Sequence, residues 1–152
     1  MKIVICVLLC LAVGGLSGYA TSSEIKDWYL LLQKPSWNPP NYLFGPVWTT
    51  LYAMMGVSMA LVWDMPVANT QKQTAMLVFG LQLFLNFMWS FVFFKWHQMG
   101  WALVEILLLW CAILFTILLF YKIHKIAAFL LVPYLCWVSF ATFLNLTIWK
   151  LN

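Results

Sequence analysis

Residues 100–121 read GWALVEILLLWCAILFTILLFY, an unbroken apolar run in which Glu105 is the sole charged residue. A helix rises about 1.5 Å per residue, so about 20 apolar residues cross the ~30 Å hydrocarbon core of a bilayer. A barrel strand needs only about 10 residues and alternates apolar with polar, which this run does not do. The stretch therefore reads as a membrane-spanning helix. Four more runs of the same kind follow from the same reasoning: Ile3 to about Ala20, Pro46 to about Trp63, Ala75–Phe94 and Ile126–Trp149. The expectation is an all-α integral membrane protein, a five-helix transmembrane bundle that fills residues 1–152 as one domain.

Composition supports that solvent. Of 152 residues, 65% are hydrophobic, 18% aromatic and 8% charged. A soluble domain carries about 25% charge, and a disordered chain needs low hydrophobicity, so both classes are excluded. The net charge of +4 comes from eight lysines without arginine, spread along the chain. No basic cluster exists to neutralise a nucleic-acid backbone, so nucleic acid is excluded as a partner. Cys6, Cys10, Cys111 and Cys136 lie in apolar runs without CxxC spacing. They read as buried thiols acting as small hydrophobes.

The first run has a second reading. Lys2, an apolar stretch and the small-residue end Ser17-Gly18-Tyr19-Ala20 also fit a cleavable secretory signal. Most connections are short: 64–74, 95–99 and 122–125, which makes sequential helices antiparallel neighbours. The exception is Thr21–Gly45, polar and proline-rich, with Trp28, Tyr29, Trp37, Tyr42 and Phe44. Loops of that length are functional or disordered, and its aromatics argue against disorder. Lys2, Lys72, Lys122 and Lys125 fall at one end of the bundle and Lys26, Lys34, Lys95 and Lys150 at the other. This even split leaves the positive-inside rule nothing to decide.

Catalytic patterns are missing. Neither His97 nor His124 has a carboxylate or cysteine at ligand spacing, and no GxSxG or glycine-rich phosphate loop occurs. No catalytic or metal-ligating set is expected, and the histidines read as interfacial residues. What remains is polar and aromatic side chains inside spans, which lipid cannot satisfy and which should face the bundle interior. Gln82, Asn86 and Trp89 recur on one face of the third span, followed by Phe93. Trp48, Tyr52, Met55 and Met59 do so on the second, and Tyr134, Trp137, Ala141 and Asn145 on the fifth. Facing one another, such stripes make a pocket for a large, flat, mostly apolar ligand. The same stripes also suit plain packing, with the amides as interhelical glue. Trp28, Trp37, Trp63, Trp96, Trp101, Trp110 and Trp149 lie nearer the ends, where an aromatic belt is expected. Glu105, about 7–8 Å into its span from Gly100, should be neutral, paired or facing a cavity.

Lys34-Pro35-Ser36-Trp37-Asn38-Pro39-Pro40 and the following Gly45-Pro46-Val47-Trp48-Thr49-Thr50-Leu51-Tyr52 closely resemble the signature of the TspO/MBR family, the tryptophan-rich sensory proteins and mitochondrial translocator proteins. Two more blocks match in order: Leu85-Asn86-Phe87-Met88-Trp89-Ser90 with Phe93-Phe94, and Val132-Pro133-Tyr134-Leu135-Cys136-Trp137 with Phe140-Ala141-Thr142 and Asn145. The resemblance implies five spans with an uncleaved first helix, a cavity toward one end, and the first loop folded over it as a lid. It places Trp48, Asn86, Trp89, Trp137 and Ala141 at the pocket and Trp28, Trp37, Pro39 and Pro40 in the lid. With the stripe residues Tyr52, Gln82, Tyr134 and Asn145, these make up the expected ligand site. Implied ligands are porphyrins such as protoporphyrin IX or haem, with no resident cofactor; mitochondrial members also take cholesterol. One departure concerns sterol: Leu146 stands where the cholesterol motif of animal members has tyrosine.

The leading expectation is a membrane receptor or binding protein for porphyrins and similar flat apolar ligands, acting in sensing, sequestration or delivery. A light-dependent porphyrin-degrading activity using Trp48 and Trp137 is the enzymatic alternative, and tetrapyrrole or sterol transport a second one. The family implies a possible homodimer, although Gly80 is followed by Phe84, without a small-xxx-small pair. The partners expected are the lipid bilayer, a porphyrin or other apolar small molecule and a second copy of the chain, and a bacterial cell membrane fits better than a mitochondrial one.

Overall fold

The computed structural model describes residues 1–152 throughout. The chain is helical and without strands: α1 (Lys2–Lys26), α2 (Trp28–Leu31), α3 (Asn41–Trp63), α4 (Asn69–Ser90) running into a π-helical turn (Phe91–Lys95), α5 (Met99–Ile123), α6 (Lys125–Leu130) and α7 (Val132–Leu151). Five of the resulting rods are long and apolar enough to cross a membrane: α1, α3, α4 with its π turn, α5, and α6–α7 taken together. The all-α, five-helix bundle read from the sequence is the observed architecture.

The helices outrun their apolar runs. Helix α1 continues past Ala20 to Lys26, and α3 starts at Asn41, so much of the long polar segment is helical. Pro46 lies inside α3. Without an N–H it leaves the carbonyl of Tyr42 without its helical donor, and its ring crowds that carbonyl in the second turn. The last span is broken at Leu131, because Pro133 has no N–H to continue the ladder from α6. At the far end of α4, Trp96 N–H donates to Phe91 O at 2.9 Å and Gln98 N–H to Val92 O at 3.0 Å. His97 takes a left-handed conformation (φ 54°) there to turn the chain into α5.

Around the bundle the order is α1, α3, α6–α7, α5, α4 and back to α1. Helices α1 and α3 cross closely because of glycine: a Cβ on Gly56 would stand 2.4 Å from Val7 Cα. Ser58 Oγ donates to Ala127 O at 2.7 Å, tying α3 to α6, and Trp110 Nε1 donates to Ser139 Oγ at 2.8 Å, tying α5 to α7. Trp110 is thus an interhelical strut rather than the belt residue expected, while Trp63, Trp96, Trp101 and Trp149 are exposed toward the span ends. Cys6 and Cys10 are buried as expected; Cys111 and Cys136 are exposed to the surrounding lipid instead, because each lies on an outward face of its helix.

The packed core occupies one half of the bundle. Met55, Ile106, Leu109, Ile113 and Phe120 are almost fully buried there, and Phe79 stacks on Phe120 with centroids 5.7 Å apart. In the other half, toward the C-terminal ends of α1, α4 and α7, the centre is hollow.

Candidate ligand-binding site

A cavity of about 360 Å³ opens between α1, α3, the α4–π rod and α7, beneath α2. Trp48, Tyr52, Asn86, Trp89, Trp137, Ala141 and Asn145 all border it, so residues nominated on three separate helices do converge. Its aromatic rings brace one another: Phe44 meets Trp137 edge-on at 6.0 Å, Trp89 stacks on Phe93 at 5.2 Å, and Trp48 packs edge-on against Tyr134 behind the wall at 6.2 Å. The π turn brings sequence neighbours Phe93 and Phe94 to the wall side by side, centroids 4.9 Å apart.

The polar groups in the wall are mostly engaged already. Tyr52 Oη donates to Asn86 Oδ1, and Asn86 Nδ2 donates to Tyr134 Oη at 2.7 Å, a chain that crosses from α3 through α4 to α7. Trp89 Nε1 donates to Asn145 Oδ1 at 3.3 Å, and Asn145 Nδ2 donates to Met99 O at 2.9 Å. Both amides therefore act first as interhelical links. Of the three wall indoles only Trp89 has an acceptor for its N–H; Trp137 Nε1 is buried without one. An unpaired buried donor is costly and rare in proteins.

Two stripe residues sit behind the wall. Tyr134 is 1% exposed and does not border the cavity; it holds Asn86. Gln82 is also 1% exposed, its Nε2 reaching Met55 Sδ at 4.0 Å, away from the cavity. Glu105 is likewise off the wall, both carboxyl oxygens buried without a hydrogen-bond partner.

The lid is smaller than its sequence suggested and shapes the cavity only in part. Its irregular stretch is residues 32–40, and neither Trp28, Trp37, Pro39 nor Pro40 touches the cavity. Trp28 stacks on the His97 ring (4.1 Å, 13°), and His97 Nε2 lies 3.0 Å from Glu24 Oε2. Trp37, half exposed, meets Phe140 edge-on at 5.8 Å. Pro40 caps the start of α3, and Pro39 O accepts from Asn38 Nδ2. Of the Thr21–Gly45 segment, Thr21, Ile25, Tyr29, Asn41, Phe44 and Gly45 do border the cavity, with Tyr29 contributed by α2. The Tyr29 hydroxyl donates to Asn38 Oδ1 at 3.0 Å, and burial pushes its pKa up to about 12 against the smaller lowering from that bond. Lys34 Nζ donates to Tyr29 O at 2.6 Å and Leu32 O at 3.0 Å, and burial lowers its pKa. The lid lysine thus caps α2. A reciprocal amide pair, Gln33 N–H to Asn152 Oδ1 (3.0 Å) and Asn152 Nδ2 to Gln33 O (2.9 Å), fastens the lid to the end of α7.

Sequence reasoning missed the fourth wall. Gly14, Gly15, Ser17, Gly18 and Thr21 of α1 all border the cavity. A Cβ on Gly14 would stand 2.2 Å from the Tyr52 ring, whereas at Gly15 and Gly18 it would meet nothing within 4 Å. The signal was present: small residues at i, i+3/i+4, i+7 within an otherwise bulky apolar helix. Part of it, Ser17-Gly18, also shaped the cleavage-site reading.

Residues 6–150 match the TspO/MBR family. Among similar proteins, a tryptophan-rich protein TspO from Chlorobaculum tepidum is 45% identical over 152 residues, covering 100% of this chain and 96% of the relative. Another TspO, from Archaeoglobus fulgidus, is 39% identical over 152 residues, covering 100% and 97%. The Homo sapiens translocator protein is 47% identical over 128 residues, covering 82% and 75%. The relatives matched end to end are thus bacterial and archaeal, in keeping with a multi-pass integral membrane protein of a bacterial membrane. With the five spans and the hollow half of the bundle in place, the chain belongs to the TspO/MBR family.

Proposed function

We propose that this chain is a membrane receptor that binds a porphyrin, or a flat apolar ligand of similar shape, in the cavity under Tyr29. Family membership supports the receptor or sensor role. The observation that carries the ligand class is the wall itself: three indoles from three helices, Trp48, Trp89 and Trp137, around one cavity. At about 360 Å³ that space falls within the range of small-molecule sites, about 300–1,000 Å³. Aromatic faces suit a planar π-system. Asn86 and Asn145 act here as supports that fix the rings, not as ligand donors. Lys34, bound to the α2 carbonyls, is not available to an anionic substituent. Acidic groups on a ligand therefore point to the lid mouth and its water.

Binding in this cavity is tested by titrating protoporphyrin IX into the purified protein and following tryptophan fluorescence. Saturable one-to-one quenching is expected. Replacing Trp48 and Trp137 together by alanine should weaken affinity at least about tenfold, since each indole contributes on the order of 1 kcal/mol of stacking. Unchanged affinity in that variant refutes the assigned cavity.

A further inference from the structure

A second hollow lies at the opposite end of the bundle, on the outer surface. It is a groove of about 370 Å³ bordered by Leu9 of α1, Met59 and Trp63 of α3, and one face of α4 from Asn69 to Leu83. Its lining changes character along its length. Asn69, Lys72 and Gln73 stand at the mouth, and Met76, Phe79, Gly80 and Leu83 continue inward. Gly80 keeps the floor open, since a Cβ there would meet nothing within 4 Å. From Lys72 to Leu83 the groove runs about 16 Å along the helix axis, close to the ~15 Å depth of one leaflet.

The mouth is positively charged. Lys72 Nζ donates to Trp63 O at 3.0 Å, which holds the ammonium at the groove's edge and leaves it N–H groups to spare. The nearby carboxylate, Asp64, is engaged by Lys2 at 2.5 Å. Lys122 and Lys125 lie at the same end, so four lysines face one acid there. Anionic headgroups are attracted to such a surface, and two flexible methionines fit an acyl chain of variable shape.

We propose that this groove is a binding site for an anionic phospholipid of the adjoining leaflet, with its phosphate at Lys72 and one acyl chain along Met76, Gly80 and Leu83. The site shares no residue with the Trp48–Trp137 cavity and does not depend on what that cavity binds.

The test is native mass spectrometry of the delipidated full chain, offered phosphatidylglycerol or phosphatidylcholine with identical acyl chains. The chain should retain phosphatidylglycerol about fivefold better, the factor one lysine near an anionic surface supplies. Lys72→Gln should bring the two lipids level. Gly80→Leu should reduce retention of both lipids, while porphyrin quenching and helical circular dichroism stay as in the parent, showing that the bundle is intact. Equal retention of the two lipids by the parent chain overturns the proposal. So do adducts that survive both substitutions, or a doubled chain mass without lipid, which assigns the face to a second copy.

Discussion

Tyr29 carries the lid's closure in one hydroxyl. Its pKa in the folded protein, about 12, lies above the ordinary value of 10. Between those two values an undocked lid loses the phenolic proton while a docked one keeps it, so docking weakens as pH climbs through that window and is fully present below it. Lys34, whose pKa is lowered, acts in the opposite sense, but its shift is the smaller. Hydrogen exchange of residues 28–40 should therefore accelerate between pH 10 and 12 beyond the intrinsic rate, and Tyr29→Phe should remove that acceleration while loosening the lid by about 1 kcal/mol at neutral pH. Gly56 gives a second test at this scale. Gly56→Ala drives a methyl into the Val7 backbone, which cannot rotate away. The expected cost is about 1–3 kcal/mol, read as a lower thermal midpoint in detergent; an unchanged midpoint contradicts the close α1–α3 crossing.

At the level of elements, the amide of Asn86 joins three helices through Tyr52 and Tyr134. Asn86→Leu leaves two buried hydroxyls without that partner. The expected loss is about 1–2 kcal/mol of bundle stability, with ligand affinity reduced only as far as the rings of Trp48 and Trp89 shift. A variant as stable as the parent would return Asn86 to the role of ligand donor. Much of this was legible in the chain. The spans announce themselves by apolar length, and the period of Gln82, Asn86 and Trp89 puts them on one face. Which side of that face meets a cavity is set by neighbours, and so Gln82, one turn deeper, lies in the packed half. Helix α1 escaped notice because its wall is built from what is absent: glycine has no side chain to mark a stripe. The lid was misjudged because Trp28 and Trp37 find partners, His97 and Phe140, that are remote in sequence.

The whole molecule divides its work by depth. One half, around Met55, Ile113 and Phe120, is packed solid and holds the helices in register. The other is kept open by small residues on α1 and walled by indoles on α3, α4 and α7. Composition foretold a membrane bundle, and the ordered tryptophan blocks foretold the family. Neither specified that Trp89 would be the wall indole tied down through its N–H, to Asn145. The most direct test of the central claim fills the cavity without removing any aromatic group. Gly18→Leu adds a side chain where a Cβ meets nothing within 4 Å, so the fold should persist, with unchanged circular dichroism and thermal midpoint. Protoporphyrin IX quenching of that variant should fall at least about tenfold in affinity, by occlusion of a site sized for a small molecule. Full-affinity binding by a folded Gly18→Leu protein would place the ligand elsewhere and contradict the account.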